Sequence, residues 1–260
     1  MGANVAQIVA QTEPHIIALV IMTALIAGFV KGAVGFALPM IMISVMGSFL
    51  SPELALAALI VPTVLANLWQ ASRGGVSGAI LALREFWLYI VMLLALIAIS
   101  ARLVILLPDQ IIFLILGIPV ALFSIMQLAG WRFHIPPSRR RLADLTLGAA
   151  SGFVGGISGV WGPLTVAYLT ALDTPKKVQV QAIGVIFASG AVMLFFAHIV
   201  SGVLTGPRLG LSVAMIVPVL AGMALGIMVQ DRLDQEKFRR ATLAVLVLAG
   251  LNLVRRGLMG

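Results

Sequence analysis

Long apolar segments separated by short polar connections make up most of the chain. Each half contains three segments that are long enough to cross a membrane, since about 20 apolar residues in a helix span a hydrocarbon core of about 30 Å. They are Pro52–Gln70, Phe86–Leu107 and Gln110–Ala129 in the first half, and Lys177–Val200, Leu209–Gln230 and Phe238–Val254 in the second. The pattern predicts an all-α, polytopic membrane protein.

An internal repeat divides the chain into two halves. The segment Gly28–Pro39 lies 124 residues before the similar segment Gly152–Pro163. Six of the twelve aligned pairs are identical: Gly28/Gly152, Phe29/Phe153, Val30/Val154, Gly32/Gly156, Gly35/Gly159 and Pro39/Pro163. A helix-start signal follows each copy, Ser51-Pro52-Glu53 and then Asp173-Thr174-Pro175. We therefore predict a first membrane repeat over residues 1–130, a basic joint over 131–143 and a second repeat over 144–260.

The apolar runs that flank the glycine-rich segments are shorter than the others. His15–Ala27 and Leu38–Leu50 have 13 residues each, roughly 20 Å of helix, which does not span the membrane. Asp144–Ser151 and Pro163–Leu172 flank the second copy. Each unit is either one long helix broken in the middle or a hairpin that turns back at the glycines. The predicted helix breaks are Gly28, Pro39, Gly152 and Pro163.

The distribution of Lys and Arg favours the hairpin. If each glycine-rich unit crosses the membrane once, the connections carry nine basic residues on one side and seven on the other. If each unit is a hairpin, the counts become twelve and four, and the minority side holds Arg102, Arg208, Arg255 and Arg256. Only the second distribution satisfies the positive-inside rule. The two repeats would then be inverted, each a hairpin plus three crossings, with both termini outside the cytoplasm.

Composition and charge narrow the class of protein further. Apolar residues are 61% of the chain and charged residues 10%, and the mean hydropathy is +1.14, which excludes a soluble domain. The net charge of +8 lies in the connections, without the interleaved aromatics of a nucleic-acid interface. There is no cysteine, and the three histidines are far apart, so we expect no metal and no cofactor. Residues 1–15 lack Lys and Arg, which makes them a poor signal peptide.

The glycine-rich tips are the best candidates for a binding site. Non-helical backbone at membrane depth survives only where it is buried in protein or lines a cavity, and the helices that leave the tips would aim their positive dipole ends at that cavity. Lys31 adds a full charge to one tip, so the site suits a small anion. The expected substrate-binding residues are Lys31, Gly32, Gly35, Asn67, Gly155, Gly156, Ser158, Gly159, Trp161 and Gln181. The alternative is that these glycines only allow close helix packing.

The acidic residues bear on the mechanism. All nine fall at segment ends or in connections, so none is placed in mid-membrane to relay protons or to hold Na⁺. An anion that leaves a cell with a negative interior gains about 2.3 kcal/mol per charge per 100 mV. Export of an anion therefore needs no coupling ion.

The two glycine-rich repeats, Gly28–Pro39 and Gly152–Pro163, together with the basic joint, resemble the TauE/SafE sulfite-exporter family over essentially the whole chain. The resemblance implies a secondary transporter of the bacterial inner membrane that exports sulfite or an organosulfonate such as sulfoacetate. It places the pore-lining segments on the same two glycine-rich stretches. The expected partners are the small anion and the lipid bilayer, without nucleic acid, and an assembly of identical copies stays open.

Three other functions are compatible with the sequence. An intramembrane serine protease would use Ser158, in Gly156-Ile157-Ser158-Gly159, with His198 as its base. However, the first repeat has Val34 in place of Ser158 within the same glycine frame, so the repeat explains the glycines better and we expect no enzyme. An anion channel is the second alternative, and a purely structural membrane protein is the third.

Overall fold

The computed structural model describes residues 14–73, 75–131, 134–232 and 234–259. The described part of the first half forms α1 (Pro14–Val34), α2 (Leu38–Met46), α3 (Pro52–Ser72), α4 (Val76–Glu85), α5 (Trp87–Ser100) and α6 (Asp109–Leu128). That of the second half forms α7 (Arg140–Ser158), α8 (Gly162–Ala171), α9 (Lys176–Val200), α10 (Gly206–Ala214), α11 (Ile216–Val229) and α12 (Gln235–Met259). Short 3₁₀ turns cover Ala101–Ile105, Pro137–Arg139 and Gln230–Arg232. The expectation about a signal peptide lies largely outside the described residues.

The protein is an all-α, polytopic membrane protein. Seven described helical stretches are long and apolar enough to cross a membrane: Pro14–Val34, Pro52–Ser72, Trp87–Ile105, Asp109–Leu128, Val178–Val200, Gly206–Val229 and Glu236–Met259. Large apolar side chains such as Met22, Trp87 and Val200 are exposed on the surface of these helices, where lipid would cover them. Six of the seven stretches are those predicted from the sequence.

The first helix of each half is longer than predicted. α1 does not end at Ala27 but continues to Val34, so its 21 residues measure about 31 Å and suffice for a crossing. α7 likewise continues to Ser158. Gly28 and Gly152 lie inside these helices, so the prediction that they break them is wrong. A glycine in a helix interior costs only about 1 kcal/mol relative to alanine, which close packing against another helix offsets.

Equivalent helices of the two halves make equivalent contacts. Gly28 packs on Val219 of α11 and Gly32 packs on Met223, which shows that α1 and α11 run in the same direction. α7 runs parallel to α5 in the same way, because Gly148 packs on Tyr89 and Gly152 packs on Leu93. The pairing α1–α11 in one half of the bundle therefore matches the pairing α7–α5 in the other.

The third and last helices of each half pair with each other. α3 and α9 are antiparallel, since Asn67 contacts Phe187 while Ala71, further along α3, contacts Gly184. α6 and α12 are also antiparallel, because the start of α6 lies beside Gly257 near the end of α12. These two antiparallel pairs join the two halves.

α7 and α8 form a helical hairpin. The Tyr168 hydroxyl on α8 donates to the Asp144 carboxylate near the start of α7, at 2.5 Å, although the two helices meet at residues 159–161. The Tyr89 hydroxyl of α5 adds hydrogen bonds of 2.6 Å to Ser151 and 2.9 Å to Thr165, one on each arm. These buried hydrogen bonds hold the arms together, because a buried polar group without a partner is costly.

α2 turns back in the same way in the first half. Arg208 at the start of α10 pairs with Glu53 at the start of α3, and α10 leads directly into α11, which is parallel to α1. At the other end, Lys31 near the end of α1 contacts Gln70 near the end of α3. α1 and α3 therefore run in the same direction, and α2 returns between them.

Candidate functional site

The tips of the two hairpins meet around a buried cavity. It is lined by Lys31, Phe36, Ala37, Pro39, Met40, Asn67, Gly159, Val160, Trp161, Gly162 and Phe187. Its volume is about 20 Å³, which is the space that roughly one water molecule needs. The cavity in this structure is therefore small.

Left-handed backbone ends the first arm of each hairpin. Gly35 has a φ of 84° and Ala37 a φ of 78°, and Gly159 has a φ of 72°. Glycine adopts this conformation without steric cost, and it ends a helix. Pro39 and Pro163 then occupy the first turn of α2 and α8, where the missing N–H of proline costs nothing.

The starts of α2 and α8 face the cavity. Met40 in the first turn of α2 and Gly162 in the first turn of α8 both line it. No side chain caps either helix start. Free N–H groups and the positive end of a helix dipole favour a negative charge at such a place.

Lys31 places an ammonium group at the cavity. The residue is 2% exposed, and its Nζ donates to Gln70 Oε1 at 2.5 Å and to the Gly35 carbonyl at 3.4 Å. Nζ also lies 5.6 Å from the centre of the Phe187 ring. None of the acidic side chains that the structure describes pairs with it.

Sequence reasoning missed Gln70 as the partner of Lys31. Gln70 follows Asn67 by three residues on α3, and side chains three residues apart share a helix face. This polar pair near the end of an apolar helix is the signal that could have identified it.

The Asn67 side chain contributes a hydrogen-bond acceptor that receives no hydrogen bond from the described residues. The side chain is 2% exposed, and its Nδ2 donates to the Phe187 carbonyl at 3.2 Å. Its Oδ1 is buried and has no hydrogen-bond partner among the described residues. Buried polar atoms are nearly always paired in proteins, so this oxygen is available to a ligand.

Trp161 forms an aromatic wall on the opposite tip. Its indole packs on Gly155 and Gly190 and lies edge-on to Phe187, with ring centres 6.4 Å apart. The repeat aligns Gly155 with Lys31 and Trp161 with Ala37. The two tips are therefore chemically different: the first supplies the charge and the second supplies the aromatic surface.

Several residues expected in the site lie elsewhere. Gly32 packs against α11 and Gly156 packs against α5. In this structure these two glycines allow close helix packing and do not line the cavity. Gln181 does not line the cavity but borders a surface depression beside α4, where it contacts Gly78. The reason is geometric, because α9 enters the bundle at this end and reaches the cavity only at Phe187.

Ser158 is a local capping residue in this structure. Its hydroxyl donates to the Val154 carbonyl at 2.6 Å and accepts from the Val160 N–H at 2.9 Å, and it does not line the cavity. His198 is 2.8 Å from the Gly156 carbonyl through Nε2 and 3.2 Å from the Ser201 hydroxyl through Nδ1. Both ring nitrogens are thus occupied by other partners, and the two residues do not form the hydrogen-bonded pair that a serine nucleophile requires.

Comparison with known proteins identifies the family. The family model described as "Sulfite exporter TauE/SafE" matches residues 20–253, a range that includes both hairpins and the cavity between them. No curated protein and no solved structure matches the chain. Since the match covers nearly the whole sequence, the chain belongs to the TauE/SafE sulfite exporter family, a family of membrane transporters.

Proposed function

We propose that this protein is a secondary transporter that exports sulfite, or a small organosulfonate such as sulfoacetate, across the bacterial inner membrane. The observation that carries the proposal is the buried ammonium of Lys31 beside two uncapped helix starts. Together they form a positive site without a carboxylate neighbour among the residues lining the cavity. The anion binds between the two tips, and the protein has no enzymatic role.

Inverted repeats would provide the movement. The equivalent helices α3 and α9 are antiparallel, and so are α6 and α12, which supports opposite orientations of the two halves. In transporters built this way, substrate binds near the bilayer midplane and one half rocks against the other. In our proposal, the closed cavity opens to each side in turn as the two hairpins move.

The basic residues support an orientation with both termini in the periplasm. Arg73 at the end of α3, Arg140 at the start of α7 and Arg239 at the start of α12 lie at one end of the bundle. Arg208 and Arg256 lie at the other end, near the start of α3. The majority end faces the cytoplasm under the positive-inside rule.

Counterflow in proteoliposomes tests the proposed function. Vesicles loaded with unlabelled sulfite are expected to accumulate labelled sulfite transiently, in a saturable manner, because a carrier exchanges one bound substrate for another. Sulfoacetate is tested in the same way as the second substrate, and chloride serves as the control anion. Flux without saturation and without counterflow would instead indicate an anion channel.

Efflux is expected to depend on membrane potential and to proceed without an imposed proton gradient. None of the acidic residues that the structure describes lines the cavity, so the site offers no carboxylate for a coupling ion. An interior-negative potential of 100 mV favours efflux of a monoanion by about 2.3 kcal/mol. We therefore expect a potassium diffusion potential to accelerate sulfite efflux from the proteoliposomes. An electroneutral flux that requires a proton gradient would contradict this mechanism.

A further inference from the structure

The Asn67 side chain, which lines the cavity, carries a hydrogen-bond acceptor that can be identified from its other contact. The carbonyl oxygen of Phe187 can only accept, so the atom of the Asn67 amide that contacts it at 3.2 Å is the NH₂ group. The other atom of the amide, Oδ1, is therefore an acceptor, and it is buried without a partner among the described residues. A ligand that supplies an O–H or N–H group would satisfy it.

Lys31 supplies the charge and a free donor to the ligand. Lys31 is the one charged side chain among the residues that line it. An ammonium group has three donors, and the structure gives Gln70 and the Gly35 carbonyl as acceptors for two of them. One donor of the ammonium group therefore remains for an anionic oxygen of the ligand.

We propose that the site selects anions that also carry a hydrogen-bond donor. This inference rests on the proposed function and narrows its substrate class: hydrogen sulfite is bound in preference to the sulfite dianion, and a hydroxylated sulfonate in preference to a plain one. Sulfoacetate, which carries no donor when both acid groups are ionised, is then the weaker of the two proposed substrates. The anionic oxygens face Lys31, and the O–H group donates to Asn67 Oδ1. The cavity, about 20 Å³ in this structure, widens to admit the ligand.

Two sulfonates of nearly equal size separate this proposal from simple anion binding. Isethionate carries a hydroxyl group that ethanesulfonate lacks, and both are monoanions. We expect isethionate to inhibit sulfite counterflow at about tenfold lower concentration, because ethanesulfonate leaves Asn67 Oδ1 buried and unpaired. Equal inhibition by the two sulfonates would overturn the proposal and leave the transport function intact.

The variant Asn67→Leu tests whether Asn67 is the residue that distinguishes isethionate from ethanesulfonate. Leucine has nearly the same shape as asparagine but no acceptor, so the ratio of the two inhibition constants is expected to fall from about ten to about one. Ser124→Ala is the matched control, because Ser124 Oγ on α6 is also buried without a partner but does not line the cavity. The control is expected to keep the wild-type ratio. A ratio that survives in Asn67→Leu would overturn the assignment.

The comparison of isethionate with ethanesulfonate on the wild type remains as the test if Asn67→Leu does not fold. It needs no variant, and both sulfonates keep the same charge at every pH of the assay. An advantage of about tenfold for isethionate supports the inference, whereas equal inhibition would refute it. Absence of counterflow for every anion would refute the proposed function, and the inference with it.

Discussion

The variant Lys31→Met is expected to lose sulfite counterflow, with an initial rate at least about 100-fold below that of the wild type. Removal of one partner from a buried ion pair costs about 3–5 kcal/mol, which corresponds to a factor of 100 or more in binding. The side chain is 2% exposed, so water cannot replace the missing charge. Methionine has a similar length and needs no acceptor, and the variant should therefore fold.

Two controls accompany this variant. Lys237→Met removes an ammonium group that is 86% exposed and paired with Asp234, and it is expected to leave counterflow unchanged. The melting temperature of Lys31→Met is expected to equal or exceed that of the wild type, because an apolar side chain often replaces a buried charge at no cost to stability. Wild-type counterflow by Lys31→Met would show that the substrate binds elsewhere.

Gly28→Ala and Gly152→Ala are each expected to destabilise the protein by about 2–3 kcal/mol, the upper range for overpacking. A Cβ at Gly28 would collide with the Val219 carbonyl oxygen of α11, and one at Gly152 would collide with the Leu93 carbonyl oxygen of α5. Backbone atoms of a packed helix cannot rotate away as a side chain does. Similar losses are expected in both variants because the two contacts are equivalent in the repeat.

Thermal unfolding of the purified proteins in detergent measures this effect. The matched control is Ala18→Val, which adds volume to α1 at an exposed position and is expected to leave the melting temperature nearly unchanged. Equal melting temperatures for Gly28→Ala and the control would show that Gly28 is not in close contact with the backbone of α11.

The apolar crossings could be predicted from the sequence because their signal is local. A run of about 20 apolar residues is a helix in the membrane whatever its neighbours are, so segments such as Pro52–Gln70 agree with the structure to within a few residues. The prediction was less successful for α1 because hydropathy alone treats glycine and lysine as the end of an apolar run. Within the bundle, however, Gly28, Lys31 and Gly32 are all buried, and the helix continues through them.

The cavity could be predicted only in part. Lys31, Gly159 and Trp161 were expected there and line it, since charge and breaks in a repeat are visible in the sequence. Ser158 and Gln181 were also expected and do not line it. Their positions depend on which side of α7 and α9 faces the centre, and this is decided by the contacts of those helices with α5 and α4.

The sequence by itself determined that this chain is a membrane protein with a glycine-rich segment that occurs twice, because hydropathy and repeated segments are properties of the order of residues. Only the tertiary structure decided which glycines pack and which end a helix. Gly32 and Gly35 are both glycines, three positions apart. Gly32 packs on Met223, whereas Gly35 has a φ of 84° and ends the helix. A glycine does either at little cost, so its role depends on the backbone that the other half of the molecule brings beside it.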